Sequence, residues 1–189
     1  SVRAACLSKC IDRVVVSTDS EKYASIARKY GAETPFLRPE EFSRDDTPDF
    51  LVFEHALQWF EKYENYSPEY WVHLRPTSPF RRLEHIEQGL QSLMQNSKAS
   101  AVRAVCEPFQ NPYKMWKVGA DGFLEPIGHA LGIKDEPYNQ PRQALPKVYW
   151  QTGYLDIVRG STLVNDRSMT GSLVLPVMTD PSDIIDIDT

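Results

Sequence analysis

Strand-like and helix-like segments alternate over about the first hundred residues, and this alternation narrows the possible folds more than any other feature. The β-branched run at residues 13–17 is typical of a buried parallel strand. A helix is predicted to follow, with Ser20 as its N-cap and Gly31 at the position of a left-handed C-terminal cap. Residues 32–36 have the pattern of a weaker second strand.

The same alternation continues with two more helices and two more strands. We predict a long helix with Thr47 as its N-cap, a strand at residues 69–74, an amphipathic helix at residues 83–93 and a strand at residues 99–105. Strands separated by helices at this spacing predict an α/β fold with a doubly wound, mostly parallel sheet of Rossmann-like type.

The pattern changes after Cys106. Residues 113–127 predict a hairpin around a turn at residues 119–122, followed by a polar, proline-rich loop. We expect residues 1–189 to form one domain in which residues 107–147 are an inserted arm that pairs subunits or closes a site. The remaining predicted strands lie at residues 149–158 and 172–178.

The composition excludes several classes of protein. No apolar run approaches the ~18 residues needed to span a membrane, so no membrane partner is predicted. The net charge of −5 argues against a protein that coats nucleic acid, since such proteins are usually basic. Three cysteines without paired or metal-site spacing fit a reducing cytoplasm.

The loop at residues 75–81 follows a predicted strand directly. It combines two guanidinium groups, Arg75 and Arg81, with two hydroxyl groups, one of them on Ser78, and two stiffening prolines. Ligands of open α/β sheets gather outside the carboxyl ends of the strands. The loop therefore predicts a site for an anionic ligand, and the alternative is a proline-rich turn that only joins strand to helix.

The chain ends in two closely spaced carboxylates, Asp186 and Asp188. In a terminal strand over residues 183–188 they would point the same way, with Ile185 and Ile187 packed behind them. Two adjacent carboxylates repel, and a bound Mg²⁺ relieves that repulsion. The alternative is an edge strand with a solvated acidic face.

Three other cations are candidates for ligand binding: Arg38, Lys114 and Arg142. Each is predicted in a loop or at the start of a strand, and each alone is typical of a solvated surface charge. The glycines are dispersed, and the sequence has neither a Gly-rich phosphate loop nor a Gly-x-Ser-x-Gly elbow. These absences weaken the commoner nucleotide-binding and hydrolase interpretations.

Taken together and in order, several stretches resemble the acylneuraminate cytidylyltransferase family, which comprises the CMP-sialic acid synthetases and their bacterial relatives. The resemblance spans nearly the whole chain, and its strength lies in the ordered set rather than in any single stretch. The matching stretches are residues 10–19, 36–39, 46–49, 75–81, 111–116, 142–146 and 186–188.

The resemblance implies transfer of CMP from CTP to a nonulosonic acid, an acidic nine-carbon sugar, with release of pyrophosphate. Asp186 and Asp188 match the Mg²⁺ ligands of the family. Arg38 and Thr47 match the region that holds cytidine. Lys114 and Arg142 match positions near the sugar, on an arm that in this family packs across a homodimer.

The sequence departs from the family pattern at two places. Many members carry Gln where this chain has Arg75, at a position that faces the sugar, and the additional charge suggests a different acid or a different carboxylate contact. On the strand after the arm, members often have Asn-Gly and then Tyr. This chain has Thr152-Gly153 and then Asp156.

The family also begins with a strand and a basic, Gly-rich loop, one βα unit of roughly 30 residues that this sequence lacks. We therefore expect residues 1–189 alone to bind CTP weakly. Equal activity with and without such a unit would contradict this expectation.

Two alternatives are also compatible with the sequence. One is a 3-deoxy-manno-octulosonate cytidylyltransferase, a relative with the same chemistry, although the stretches at residues 111–116 and 142–146 favour the acylneuraminate branch. The other is a non-catalytic scaffold that only pairs with other subunits. The paired Asp186 and Asp188 oppose it, because a scaffold gains nothing from their repulsion. The motifs are equally compatible with sialic, legionaminic and pseudaminic acids.

Overall fold

The computed structural model describes residues 1–133, 135–185 and 187. The chain divides into two compact units, one of Ser1–Ala104 with Thr152–Thr189 and one of Val105–Gln151. The predicted arm, residues 107–147, falls within the second unit. The helices are α1 (Val2–Leu7), α2 (Glu21–Lys29), α3 (Asp49–Glu64), α4 (Leu83–Gln95), α5 (Ile127–Ala130) and α6 (Gly160–Asn165). The strands are β1 (Tyr70–His73), β2 (Ala101–Cys106), β3 (Trp116–Val118), β4 (Leu124–Pro126), β5 (Trp150–Arg159) and β6 (Val174–Met178).

The main sheet has the strand order β1-β5-β2-β6. β5 runs antiparallel to β1, with His73 opposite Asp156. Apolar side chains are buried on both faces of this sheet. Ile157 packs with Leu90 of α4 on one face, and Val158 packs with Leu57 of α3 on the other. Helices on both faces of a central sheet confirm the predicted α/β class.

Local signals placed several elements correctly. Ser20 caps α2 by accepting a hydrogen bond from the backbone N–H of Tyr23, and Gly31 has a φ of +96° just after the helix. The predicted hairpin is present as β3 and β4, joined by a turn in which the N–H of Gly119 donates to the carbonyl of Phe123.

The prediction of Thr47 as the N-cap of α3 is wrong. The cap position is Pro48, and the Thr47 hydroxyl instead accepts a hydrogen bond from the N–H of Arg44.

The predicted strands at residues 13–17 and 32–36 are reduced to one isolated parallel bridge between Val15 and Glu33. A buried parallel strand needs partners along both edges, whereas residues 13–17 make this one bridge and line a cavity. Arg13 holds this segment in place by pairing with Glu33 and with Glu64 of α3, at 2.5 Å each.

The prediction of a terminal strand over residues 183–188 is wrong for the described residues. Pro181–Asp183 is a 3₁₀ turn, and the described residues after it lie outside any strand. Ile185 and Ile187 are 49% and 58% exposed, so they do not pack behind a strand. The proline at the start of the turn and the Asp180 side chain, which accepts from the N–H of Ser182, favour the turn instead.

None of the helices in the described part of the chain combines the length and apolarity that crossing a bilayer requires.

Candidate functional site

A cavity of about 1300 Å³ lies in the first unit. Its lining includes residues 10–19 and residues 68–77, together with residues of α2 and α3. The second lining segment contains the whole of β1 and the start of the loop after it. The volume of the cavity exceeds the roughly 300–1,000 Å³ of a typical small-molecule pocket.

Two of the predicted ligand-binding arginines, Arg38 and Arg75, line this cavity together. The backbone N–H of Arg38 donates to the carbonyl of Thr18 at 2.8 Å, and its Nε donates to the hydroxyl of Ser43 at 3.0 Å. These bonds hold Arg38 at the wall of the cavity. Thr47, predicted to bind the same ligand, is not among the described lining residues.

Arg75 is held by two carboxylates. Its Nη1 donates to Asp156 Oδ2 at 2.7 Å and to the carbonyl of Gly153 at 3.3 Å, and its Nη2 donates to Asp49 Oδ2 at 2.6 Å. Burial opposes the charged form, but the hydrogen bonds with Asp156 and Asp49 outweigh it and raise the pKa of Arg75. The second oxygen of Asp156 accepts from Arg103 Nε at 2.6 Å. Arg75 is thus the bridge between the end of β1, the start of α3 and the middle of β5.

His73 lies beside this network, with its side chain 17% exposed. Burial, reinforced by the nearby charge of Arg75, lowers the pKa of His73 to about 4, although Asp49 and Asp156 oppose the shift. Its Nδ1 has no hydrogen-bond partner among the described residues, and its ring packs edge-on against Phe53 with centroids 4.9 Å apart. The imidazole is therefore neutral at neutral pH.

The other two predicted ligand-binding residues of the loop, Ser78 and Arg81, face inward. Ser78 is 1% exposed, and its hydroxyl has no partner within the ranges that the structure describes. Arg81 donates from Nη2 to the carbonyl of Arg75, and its guanidinium lies 5.3 Å from the ring centre of Tyr154. Burial lowers the pKa of Arg81 to about 10, and its buried Nη1 has no partner in the described part of the chain. Arg81 stabilises the loop through its bond to the Arg75 carbonyl. The buried Ser78 hydroxyl and Arg81 Nη1, which have no partner among the described residues, destabilise it.

The C-terminal segment is attached to the same loop. The guanidinium of Arg82 pairs with Asp183 at 2.5 Å, and the N–H of Ile187 donates to the carbonyl of Thr77 at 2.9 Å. The predicted metal ligands Asp186 and Asp188 lie outside the described residues. Within the described ranges, no group of three or more His, Cys, Asp or Glu residues is arranged to hold a metal ion.

The predicted sugar-contacting residues Lys114 and Arg142 lie in the second unit. Lys114 ends the 3₁₀ turn Pro112–Lys114, which Asn111 caps by accepting from the N–H of Tyr113 at 3.0 Å. Arg142 begins the turn Arg142–Ala144, and its Nη2 donates to the carbonyl of Pro108 at 2.8 Å.

Sequence reasoning missed His73, Arg103 and Asp49 as neighbours of Arg75, and it noted Asp156 only as a departure from a pattern. A signal for Asp156 was present, because it is a single charge inside the apolar run at residues 154–158. A charged residue in a buried strand requires a partner. The sequence does not say which arginine is that partner.

A family model described as Cytidylyltransferase matches residues 1–157. The chain is 37% identical over 105 residues to an N-acylneuraminate cytidylyltransferase of Escherichia coli, a match that covers 56% of this chain and 24% of that protein. It is 34% identical over 91 residues to a CMP-N,N'-diacetyllegionaminic acid synthase of Legionella pneumophila, which covers 48% of this chain and 39% of that protein. These matches span well under half of each relative.

Among solved structures, the chain is similar to a CMP:2-keto-3-deoxy-manno-octonic acid synthetase solved in complex with CTP. The TM-score is 0.59 at 13% identity, and the similarity covers 94% of this chain and 77% of that chain. Likeness at this identity shows a shared fold.

Proposed function

The chain belongs to the cytidylyltransferase family, and on this premise we propose that it transfers CMP from CTP to a nonulosonic acid of the sialic, legionaminic or pseudaminic type. The observation that carries the proposal is the family match over residues 1–157, the stretch that contains the cavity and the Arg75 loop. The names of the two relatives, one for N-acylneuraminate and one for a legionaminic acid, support this class of acceptor.

In the proposed reaction, a sugar hydroxyl attacks the α-phosphorus of CTP. A new bond forms between the hydroxyl oxygen and that phosphorus, the bond to the bridging oxygen of the β-phosphate breaks, and pyrophosphate leaves. The hydroxyl proton passes to solvent or to a phosphate oxygen. The protein's part is to position both substrates and to neutralise charge. Arg38 binds the nucleotide at the wall of the cavity, and the Arg75 loop lies toward the sugar.

A divalent cation, Mg²⁺, is part of this proposal, with Asp186 and Asp188 as its ligands. The donor set fits, because Mg²⁺ is usually bound through one or two carboxylates together with substrate phosphates and water. The bond from Ile187 to Thr77 supports the placement, since it holds the backbone between these two residues against the loop. When bound, the ion would neutralise phosphate charge and lower the pKa of the attacking hydroxyl.

We also propose that the protein is a homodimer that pairs through the arm, residues 107–147. Several apolar side chains of this unit are more than half exposed, and contact with a second copy would remove them from water. These exposed side chains are Phe109, Val118, Phe123 and Leu124. In the dimer, Lys114 and Arg142 would meet the carboxylate of the sugar.

The proposed location is the cytoplasm. All three cysteines are free thiols, which fits a reducing compartment.

The test is pyrophosphate release from CTP and Mg²⁺ with sialic, legionaminic and pseudaminic acids in turn. It is run on the 189-residue chain and on the chain extended by the N-terminal βα unit that the family resemblance implies. We expect release with one acid, and a loss of about 100-fold or more in Asp186→Asn. Asp166→Asn, at an exposed position beyond α6, is the matched control and should keep full activity. Release with none of the acids in either version would refute the proposal.

A further inference from the structure

Residues 36–43, the Arg38 loop, form a compact turn, and Arg38 itself lines the cavity. Within the loop, the N–H of Phe42 and the hydroxyl of Ser43 both donate to the carbonyl of Pro39, at 3.0 and 2.9 Å. The Ser43 hydroxyl in turn accepts from Nε of Arg38 at 3.0 Å. The direction of the Arg38 guanidinium therefore depends on where Phe42 and Ser43 lie.

One side chain of α3 contacts both ends of this loop. The imidazole of His55 meets Phe36 with ring centres 4.9 Å apart and Phe42 with ring centres 5.4 Å apart, distances typical of favourable aromatic pairs. Phe36 also contacts two further rings of α3. Among the described residues, His55 is the one ring in contact with Phe42. His55 is thus the aromatic anchor on α3 for the end of the loop that holds Nε of Arg38.

The chemistry of His55 suits a packing contact beside an arginine. Its Nδ1 is buried and has no hydrogen-bond partner in the described part of the chain. Partial burial, reinforced by the charge of Arg38, lowers the pKa of His55, although Glu41 opposes the shift. The ring is therefore uncharged at neutral pH and packs against the loop without repelling the guanidinium.

We propose that His55 is a positioning residue for the nucleotide: through Phe42 and Ser43 it holds the Arg38 guanidinium at the cavity before CTP binds. The inference rests on the proposed function, in which Arg38 binds the nucleotide. A long side chain that is already held loses less conformational freedom on binding than a free one. Removal of the imidazole should therefore weaken CTP binding although His55 makes no contact with CTP.

The test measures CTP affinity by calorimetry in the presence of Mg²⁺, on the 189-residue chain and on the chain extended by the N-terminal βα unit that the family resemblance implies. His55→Ala removes the ring, and His55→Phe keeps an uncharged ring at the same place. Tyr63→Ala is the matched control, because it removes a ring from the same helix that contacts Trp59 at 5.1 Å. Tyr63 is not among the described residues that line the cavity.

We expect His55→Ala to weaken CTP binding by about two- to tenfold, which corresponds to the cost of ordering one long side chain. His55→Phe and Tyr63→Ala should bind CTP as the unaltered chain does. A lower melting temperature in His55→Ala with unchanged CTP affinity would show that the ring only stabilises the fold, and would overturn the proposal. Weak binding by His55→Phe would overturn it as well, since ring packing would then not be what matters.

The route through Arg38 is tested with the double variant Arg38→Gln/His55→Ala. If His55 acts through Arg38, the double variant binds CTP no more weakly than Arg38→Gln alone. Multiplied losses would contradict a positioning role. If circular dichroism shows that His55→Ala does not fold, Ser43→Ala decides, because it removes the acceptor of Arg38 Nε and leaves the rings in place. It should cause a similar loss, and full CTP affinity in Ser43→Ala would refute the route.

Amide hydrogen exchange of the protein without CTP separates this inference from the proposed function. Exchange should be faster at residues 36–43 in His55→Ala and ordinary in His55→Phe, while α4 is unchanged in both. Unaltered exchange of the loop in His55→Ala would overturn the proposal even if CTP binds. If neither version of the unaltered chain bound CTP, the proposed function would fall and with it the role in nucleotide binding. The exchange rates would then still decide whether His55 holds the Arg38 loop.

Discussion

His73 is expected to make the stability of the fold depend on pH. Its side chain is 17% exposed and packs against Phe53, and partial burial together with the charge of Arg75 lowers its pKa from 6.5 to about 4. Protonation therefore favours the unfolded chain, in which the imidazole regains its ordinary pKa. The stability that His73 contributes is complete above pH 6.5 and is lost as the pH falls from 6.5 toward 4.

The size of the effect follows from that shift. A difference of about 2.5 pKa units corresponds to about 3 kcal/mol between the two limits, at ~1.36 kcal/mol per unit. At pH 5, where the unfolded histidine is mostly protonated and the folded one is not, about 2 kcal/mol of it is lost. For a chain of this length the loss corresponds to a melting temperature about 4–8 °C lower.

The assay is thermal or urea unfolding from pH 7.5 to pH 5, with His73→Gln and His129→Gln compared with the unaltered chain. Glutamine does not titrate, so His73→Gln should lose about 2 kcal/mol less stability over this range than the unaltered chain. His129 is exposed, and the same substitution there should leave the pH dependence as it was. Equal pH dependence in His73→Gln and the unaltered chain would refute the reasoning.

Two further predictions concern packing and assembly. Gly160→Ala should destabilise the fold by about 1–3 kcal/mol in urea unfolding, because a Cβ there would overlap the backbone carbonyl oxygen of Pro68. Gly89→Ala should cost less, since the nearest atom is the terminal methyl group of the Ile157 side chain rather than backbone, and the reverse order would contradict this account. Phe123→Asp, at a side chain that is 74% exposed, should convert the proposed dimer to a monomer in light scattering without changing the circular dichroism spectrum. An unaltered mass would show that this part of the arm does not pair subunits.

The parts of the fold that depend on local patterns could be predicted from the sequence. The apolar spacing of α4 places Ile86, Leu90 and Leu93 on one buried face, as expected from a period of 3.6 residues. The turn of the β3–β4 hairpin follows from its glycines, Gly119 and Gly122. Such signals lie within a few residues of one another, so no knowledge of the rest of the fold is needed.

The predictions of strands at residues 13–17 and 183–188 failed for the same reason. Residues 13–17 have strand composition, yet a strand also needs neighbours, and this segment makes one isolated bridge and lines a cavity. The segment around Ile185 and Ile187 alternates like a strand, but its observed hydrogen bond goes to the loop carbonyl of Thr77. Whether these segments form strands depends on pairing partners far away in the chain, and a local sequence pattern does not identify those partners.

The candidate site likewise has features that the sequence predicts and features that it does not. The sequence by itself determined that Arg75 follows a strand in a stiff loop, and that this end of a sheet strand suits a ligand. Only the tertiary structure decided that Asp156, 81 residues further along the chain, neutralises it. The physical reason is that a charge acts on whatever the fold brings within a few ångströms, at any distance along the chain. The residue types were therefore readable in advance, and the electrostatic state of the site was not.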